Sequence, residues 1–211
     1  MKSILIISQH IFPKQTPRAH RATELAIELA RQGFKVTIYA VLGKYDYADF
    51  QKKHNIKVNN IKLNWQFEPY SSDLKVRRYL IDKILGRLFQ KTFEFPNIEF
   101  CFKIPQIIKK EKKFDALISI ADPHMLHWGC SRAKETQPEK FPKKWIADCG
   151  DPYYDNGNSE KYKERFKKME HFFCANACFV TVPVSSAIKS YFPKYENKIK
   201  VIPQGFKFQI A

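Results

Sequence analysis

Residues 3–41 read SILIISQHIFPKQTPRAHRATELAIELARQGFKVTIYAV, and the order of patterns within them decides the fold. The stretch opens on a short apolar run, SILIIS (3–8), which reads as a buried strand. Gln9 to Arg18 form a loop containing Pro13 and Pro17. A helix follows, with Ala22, Leu25, Ala26 and Leu29 at the spacing of one helical face and Gly33 as its stop. FKVTIYAV (34–41), rich in β-branched and aromatic residues, reads as a second strand. A strand–helix–strand unit of this length is a parallel crossover.

The same alternation continues outward. Strands are predicted at 56–63, 115–120, 144–148, 177–182 and 199–203, with helices at about 123–134, 159–175 and 184–191. Residues 73–113 read as mostly helical, broken near Pro96 and again at Pro105. The fold class that results is α/β: a Rossmann-like, open, doubly wound parallel sheet with helices on both faces. Neither an internal repeat nor a low-complexity segment divides the chain, so residues 1–211 read as one domain.

Lysine and arginine number 37 against 21 acids, a formal net charge of +16. That balance points to a polyanionic partner: nucleic acid, an acidic membrane surface or phosphorylated ligands. The five cysteines (Cys101, Cys130, Cys149, Cys174 and Cys178) form no C-x-x-C pair. With the absence of a signal peptide, they favour a reducing cytoplasm. No apolar run reaches the roughly 20 residues of a membrane-spanning helix, so any membrane contact is expected to be peripheral.

In an open α/β sheet, ligands bind outside the carboxyl ends of the strands, where strand order reverses. Three polar loops are predicted to meet there: Gln9–Arg18, Ala121–His127 and Cys149–Asn156. The last follows KWIAD and carries Asp151, Tyr153 and Asp155, groups that suit a hydroxyl-rich ligand. Each also has an ordinary account, Asp151 capping a turn before Pro152 and Tyr153 packing. The first loop lacks the glycines of a dinucleotide fingerprint, which argues against an NAD-dependent enzyme. It brings Lys14, Arg18, His20 and Arg21 near a helix N-terminus instead, where an anion is welcome but cations oppose the helix dipole.

Five segments in order resemble the N-terminal, acceptor-side domain of glycosyltransferase family 4, which has the two-domain GT-B fold. They are the 4–41 stretch already quoted in part, DALISIADPHMLHWGC (115–130), WIADCGDPYYDN (145–156), ANACFVTVPVSSAIKSYF (175–192) and KIKVIPQGF (198–206). The resemblance implies a retaining transferase that moves a sugar from a nucleotide-diphosphate donor to an acceptor, with neither metal nor other cofactor. In the family this domain mainly holds the acceptor, and a second domain grips the donor. The chain stops at Ala211, where that second domain would begin, so an acceptor domain inert by itself is the expectation. The resemblance makes Asp151 and His124 the groups nearest the reacting centre. Arg18, His20, Arg21, Tyr153 and Asp155 would then line the acceptor site. Three departures stand out: the opening loop has no Gly-Gly pair, Ala121-Asp122-Pro123 replaces an H-x-P triplet, and Gly150 stands where an arginine is usual.

Other constellations compete. His171, Cys174 and Cys178 invite a zinc reading, against the commoner explanation of small buried thiols. Residues 74–93 form a basic amphipathic pattern, with Leu80, Ile84 and Leu88 flanked by Lys83, Arg87 and Lys91. Such a helix lies either on the sheet or on the anionic cytoplasmic face of a membrane carrying a lipid-linked acceptor. The leading reading is the acceptor domain of a transferase in cell-surface polysaccharide or lipid-linked glycan synthesis. A basic nucleic-acid-binding module and a non-catalytic partner subunit of a two-chain transferase are the alternatives.

Overall fold

The computed structural model describes residues 1–64, 97–150, 163–191 and 193–203. Seven strands form one sheet: β1 (Ser3–Ser8), β2 (Lys35–Ala40), β3 (Ile56–Asn60), β4 (Ala116–Ile120), β5 (Lys144–Asp148), β6 (Phe179–Val182) and β7 (Ile199–Val201). Their order is β3-β2-β1-β4-β5-β6-β7, and every neighbouring pair is parallel. The sheet is therefore α/β and Rossmann-like, as the alternating pattern predicts, and its order reverses between β1 and β4.

Both faces of the sheet are buried, which is why the strands read as continuous apolar runs. Along β1, Leu5 and Ile7 enter one core while Ile4 and Ile6 enter the other. The second core is covered by α1 (Pro17–Arg31) and α2 (Ala48–His54), through Ala22, Ala26 and Phe50. The first is covered by α3 (Phe100–Lys110), α4 (Met125–Thr136) and α5 (Lys163–Asn176), through Ile104, Trp128 and Phe173.

Several boundaries differ from expectation for local reasons. Helix α1 begins at Pro17, four residues before the apolar face appears: Thr16 caps it by accepting from the Ala19 amide, and proline occupies a first-turn position that needs no donor. Arg18 and His20 thus belong to the helix that the sequence reading begins at Arg21. The helix ends as expected at Gly33 (φ 86°), where the Gly33 amide donates to Ala30 and the Phe34 amide to Leu29. Pro105 does not break α3, because Phe100, Cys101, Ile104 and Ile108 bury a face that outweighs the lost hydrogen bond. The 184–191 helix is a 3₁₀ segment over Ser185–Ser190. The basic stretch 74–93 lies outside the described residues. Among those described, no helix is long and apolar enough to cross a membrane.

Helices α3 and α4 meet at Gly129. A Cβ there would lie 2.7 Å from the Phe100 carbonyl oxygen and 2.8 Å from Ile104 Cδ1. Alanine at an ordinary helix position improves on glycine by about 1 kcal/mol. Here the approach reverses the sign. Gly129→Ala is expected to lower unfolding free energy by about 1–3 kcal/mol in chemical denaturation, as overpacked cores do; a more stable variant would show that the two helices separate freely.

Candidate functional site

The carboxyl ends of β1, β4 and β5 open onto the first turn of α1 and the first turn of α4. The loop after β1 is held in place from below. The Thr23 hydroxyl accepts from the Phe12 amide at 2.9 Å and donates to the Ala19 carbonyl at 2.8 Å. The Tyr47 hydroxyl donates to the Phe12 carbonyl at 2.6 Å. The first two turns of α1, which carry Arg18 and Arg21, follow directly.

Arg21 reaches the end of β5. Its Nη2 donates to Asp148 Oδ1 at 2.7 Å, and its Nε donates to Oδ2. The Thr181 hydroxyl, from β6, also donates to Oδ1. Asp148 is 2% exposed and the Arg21 side chain 16%, so the pair is a part-buried, bidentate one with both carboxylate oxygens engaged. Sequence reasoning placed Asp148 on the strand and Arg21 on the helix without joining them. The one signal was that cations near a helix start, with no acid in its first turn, call for a carboxylate from elsewhere, without naming which.

Arg18, one turn earlier on the same side, lies over Gly150. A Cβ on Gly150 would come 1.0 Å from Arg18 Nη2 and 2.2 Å from its Cζ. The guanidinium thus occupies the space that a side chain at 150 would fill. Arg18 Nη1 is out of contact with solvent and makes no hydrogen bond among the described residues.

The floor of the crevice is a buried polar network. His127, fully buried, has Nδ1 at 2.8 Å from Ser119 Oγ and Nε2 at 3.3 Å from Cys149 Sγ. The Trp145 indole N–H donates to the same Ser119 oxygen at 2.8 Å. Ser119 therefore accepts from the indole and shares a hydrogen bond with His127 Nδ1. Burial holds His127 well below the usual imidazole range, helped by the neighbouring His124 and by the Arg18 charge. Burial likewise pushes the Cys149 thiol well up. Both groups are neutral at physiological pH.

His124 stands at the start of α4, 5% exposed, with its ring 5.7 Å from that of His127 and 6.1 Å from that of Phe173. The peptide bonds Ala121–Asp122 and Asp122–Pro123 just before it are both cis. His20 is exposed on the outer side of the first turn. Of the seven residues singled out from the sequence, Arg18, Arg21 and His124 converge on this edge, and Asp151, Tyr153 and Asp155 lie outside the described residues. Cys178 falls beyond the end of α5, bonded to the Lys143 carbonyl, while His171 meets Tyr195. Among the described residues no group of three or more His, Cys, Asp and Glu side chains is placed to hold a metal ion.

No protein-family model matches the chain, and no curated protein does. Among solved structures the fold is similar to that of a glycosyltransferase from Rickettsia africae ESF-5, with a TM-score of 0.52 and 15% sequence identity. The likeness covers 97% of this chain and 43% of that one, so the chain spans less than half the length of that protein. At that identity the likeness establishes a shared fold.

Removing Asp148 takes the counter-charge from Arg21, whose side chain is 16% exposed and can turn to water. Asp148→Ala is expected to cost about 1–3 kcal/mol of unfolding free energy. A loss under about 1 kcal/mol, the range of an exposed pair, would mean that the tie holds nothing. His127 gives a pH dependence whose sign follows from its lowered folded value. Stability from its neutral, buried ring is fully present above the unfolded pKa near 6.5. It is lost as pH falls toward the folded value, with a slope approaching about 1.4 kcal/mol per pH unit. His127→Gln should flatten that stretch of the denaturation-against-pH curve; an unchanged slope would assign it to other groups.

Proposed function

We propose that this chain is the acceptor-binding unit of a retaining, nucleotide-sugar-dependent glycosyltransferase that works without a metal ion. The observation that carries the reading is the match of nearly the whole chain to 43% of a glycosyltransferase at the level of fold. A second unit, in cis or in trans, binds the nucleotide-diphosphate donor on this reading, and the chain by itself transfers no sugar. The acceptor occupies the crevice at the carboxyl ends of β1, β4 and β5, where doubly wound sheets take ligands.

Within that crevice the roles are divided by position. His124, at the β4 edge, hydrogen-bonds the transferred sugar or the acceptor, and Asp151 orients the acceptor hydroxyl. Arg18, Tyr153 and Asp155 line the acceptor, with His20 at its outer rim. Arg21 acts mainly through Asp148, fixing the helix on which Arg18 stands. Alignment of this kind contributes up to about 7–11 kcal/mol to a group transfer when ideal. The five free thiols suit a reducing cytoplasm. Cell-surface polysaccharide or lipid-linked glycan synthesis, at the inner face of a membrane reached through 74–93, is the process we favour.

Binding of a saccharide array to the purified chain tests the reading. Glycan binding is expected, weakened about tenfold (~1.4 kcal/mol) in His124→Ala while the far-UV spectrum is unchanged, and no sugar is transferred by the chain alone. The +16 charge supplies the competing outcome. Binding to generic duplex DNA whose log affinity falls steeply and linearly with log salt, with no glycan bound, would replace this reading with a nucleic-acid module.

A further inference from the structure

We infer that the exposed rings of Phe12 and Tyr45 form a stacking subsite beside the crevice, and that the acceptor is a chain of two or more sugar units. The inference takes the class of ligand from the acceptor-site reading; the place and the shape come from two side chains that the reading does not use. Phe12 follows the carboxyl end of β1. Tyr45 follows that of β2, the neighbour of β1 on the side away from β4. Phe12 is 39% exposed and Tyr45 43%. One apolar side chain in water is ordinary on any surface. Two aromatic rings in contact there, 5.2 Å between centroids and 88° between planes, make a patch.

The patch is held in place from behind. Phe12 stacks on Phe50 of α2 at 6.0 Å, and Tyr45 meets Tyr47 edge to face at 4.9 Å, both backing rings being largely buried. The Phe12 backbone is bonded on both sides, its amide to the Thr23 hydroxyl and its carbonyl to the Tyr47 hydroxyl. Fully burying a phenylalanine side chain gains about 1.5–3 kcal/mol. Here a backbone engaged at both polar groups keeps the ring partly in water instead. Rings fixed in advance lose little freedom when a ligand lands on them, so the contact is not offset by ordering.

Shape and charge choose the ligand. Two rings at right angles make a corner, with one face to lie on and one edge to lie against. A single six-membered ring fits such a corner, whereas successive nucleobases stack on faces set along a strand. The local charge is also wrong for a polyanion. Lys14 and Lys44 are matched by Asp46 and Asp49, so residues 9–16 and 41–49 are neutral together while the chain carries +16. A neutral corner with aromatic faces takes an uncharged pyranose, whose C–H face meets the negative face of the ring while its hydroxyls stay at the wet rim. Strand order gives the length. β4 and β2 flank β1 in the sheet. Their ends are two strand spacings apart, about 10 Å. A sugar at the β4 end, where His124 stands, and a sugar in the corner are therefore separate units of one chain.

The test is NMR titration of the intact chain with uncharged glucose, mannose, galactose and N-acetylglucosamine oligosaccharides, each series running from monosaccharide to hexasaccharide. At least one series is expected to bind about tenfold more tightly as an oligosaccharide than as its monosaccharide, shifting the Phe12 and Tyr45 ring resonances. That gain should disappear in Phe12→Leu and Tyr45→Leu, which keep an apolar side chain but no flat face. It should survive in Phe12→Tyr and Tyr45→Phe. The ring shifts need no variant, so the test stands even where a leucine variant fails to fold. Ring resonances that do not move, no gain with length, or a gain that the leucine variants keep would overturn the inference. Single-stranded DNA bound through the same two rings, or self-association of the chain lost in the leucine variants, would overturn it as well. The two readings fail differently. Oligosaccharide binding that depends on Phe12 and Tyr45 but not on His124 would remove the placement of the acceptor at His124 alone. Binding weakened by His124→Ala and untouched by either leucine variant would remove this inference alone. No saccharide bound in any form would remove both.

Discussion

The contact between Arg21 and Asp148 governs the geometry of the whole carboxyl edge. It joins the start of α1 to the end of β5, and Thr181 extends it to β6. Salt bridges of this kind contribute little net energy relative to a well-packed apolar substitute, because the carboxylate has been taken out of water. What they do specify is position. A bidentate fork restricts the rotation of α1 about its axis, and with it the direction in which neighbouring Cα–Cβ bonds leave the helix. Arg18, three residues earlier, starts from the same side of α1 and reaches Gly150.

Close approach is the second theme, and two glycines express it differently. At Gly129 the missing side chain lets two helices meet, and the neighbour is backbone: the carbonyl oxygen of Phe100 cannot move aside without moving α3. At Gly150 the neighbour is the far end of a long, flexible side chain. A methyl group there would be accommodated by swinging Arg18 away. The first glycine is thus a matter of stability and the second of where a charge sits. A polar network beneath them, from Trp145 through Ser119 and His127 to Cys149, gives the crevice a floor whose hydrogen bonds are satisfied internally.

Much of this was legible in the amino-acid order. A fully buried parallel strand is a short apolar run whichever face is considered, so β1, β2, β4 and β5 declared themselves, and the stop at Gly33 was unambiguous. Helix α2 was missed because only Phe50 of its seven residues is buried, too little to form a periodic signal. Pro105 misled for the opposite reason: tertiary burial of four neighbours in α3 overrode a local penalty. At the site, His124, Arg18 and Arg21 could be placed on the right edge because connectivity alone sends them there. The pairing of Arg21 with Asp148, 127 positions away, could not be read, since nothing in either segment names its partner.

Net charge and local charge act at different ranges, and the difference bears on what the protein selects. A surplus of lysine and arginine creates a field that draws in any polyanion, but at physiological salt that field decays over about 8 Å. It raises the local concentration of nucleic acid, acidic lipid and phosphorylated sugar alike. Discrimination among them falls to groups at contact distance, where screening is weak.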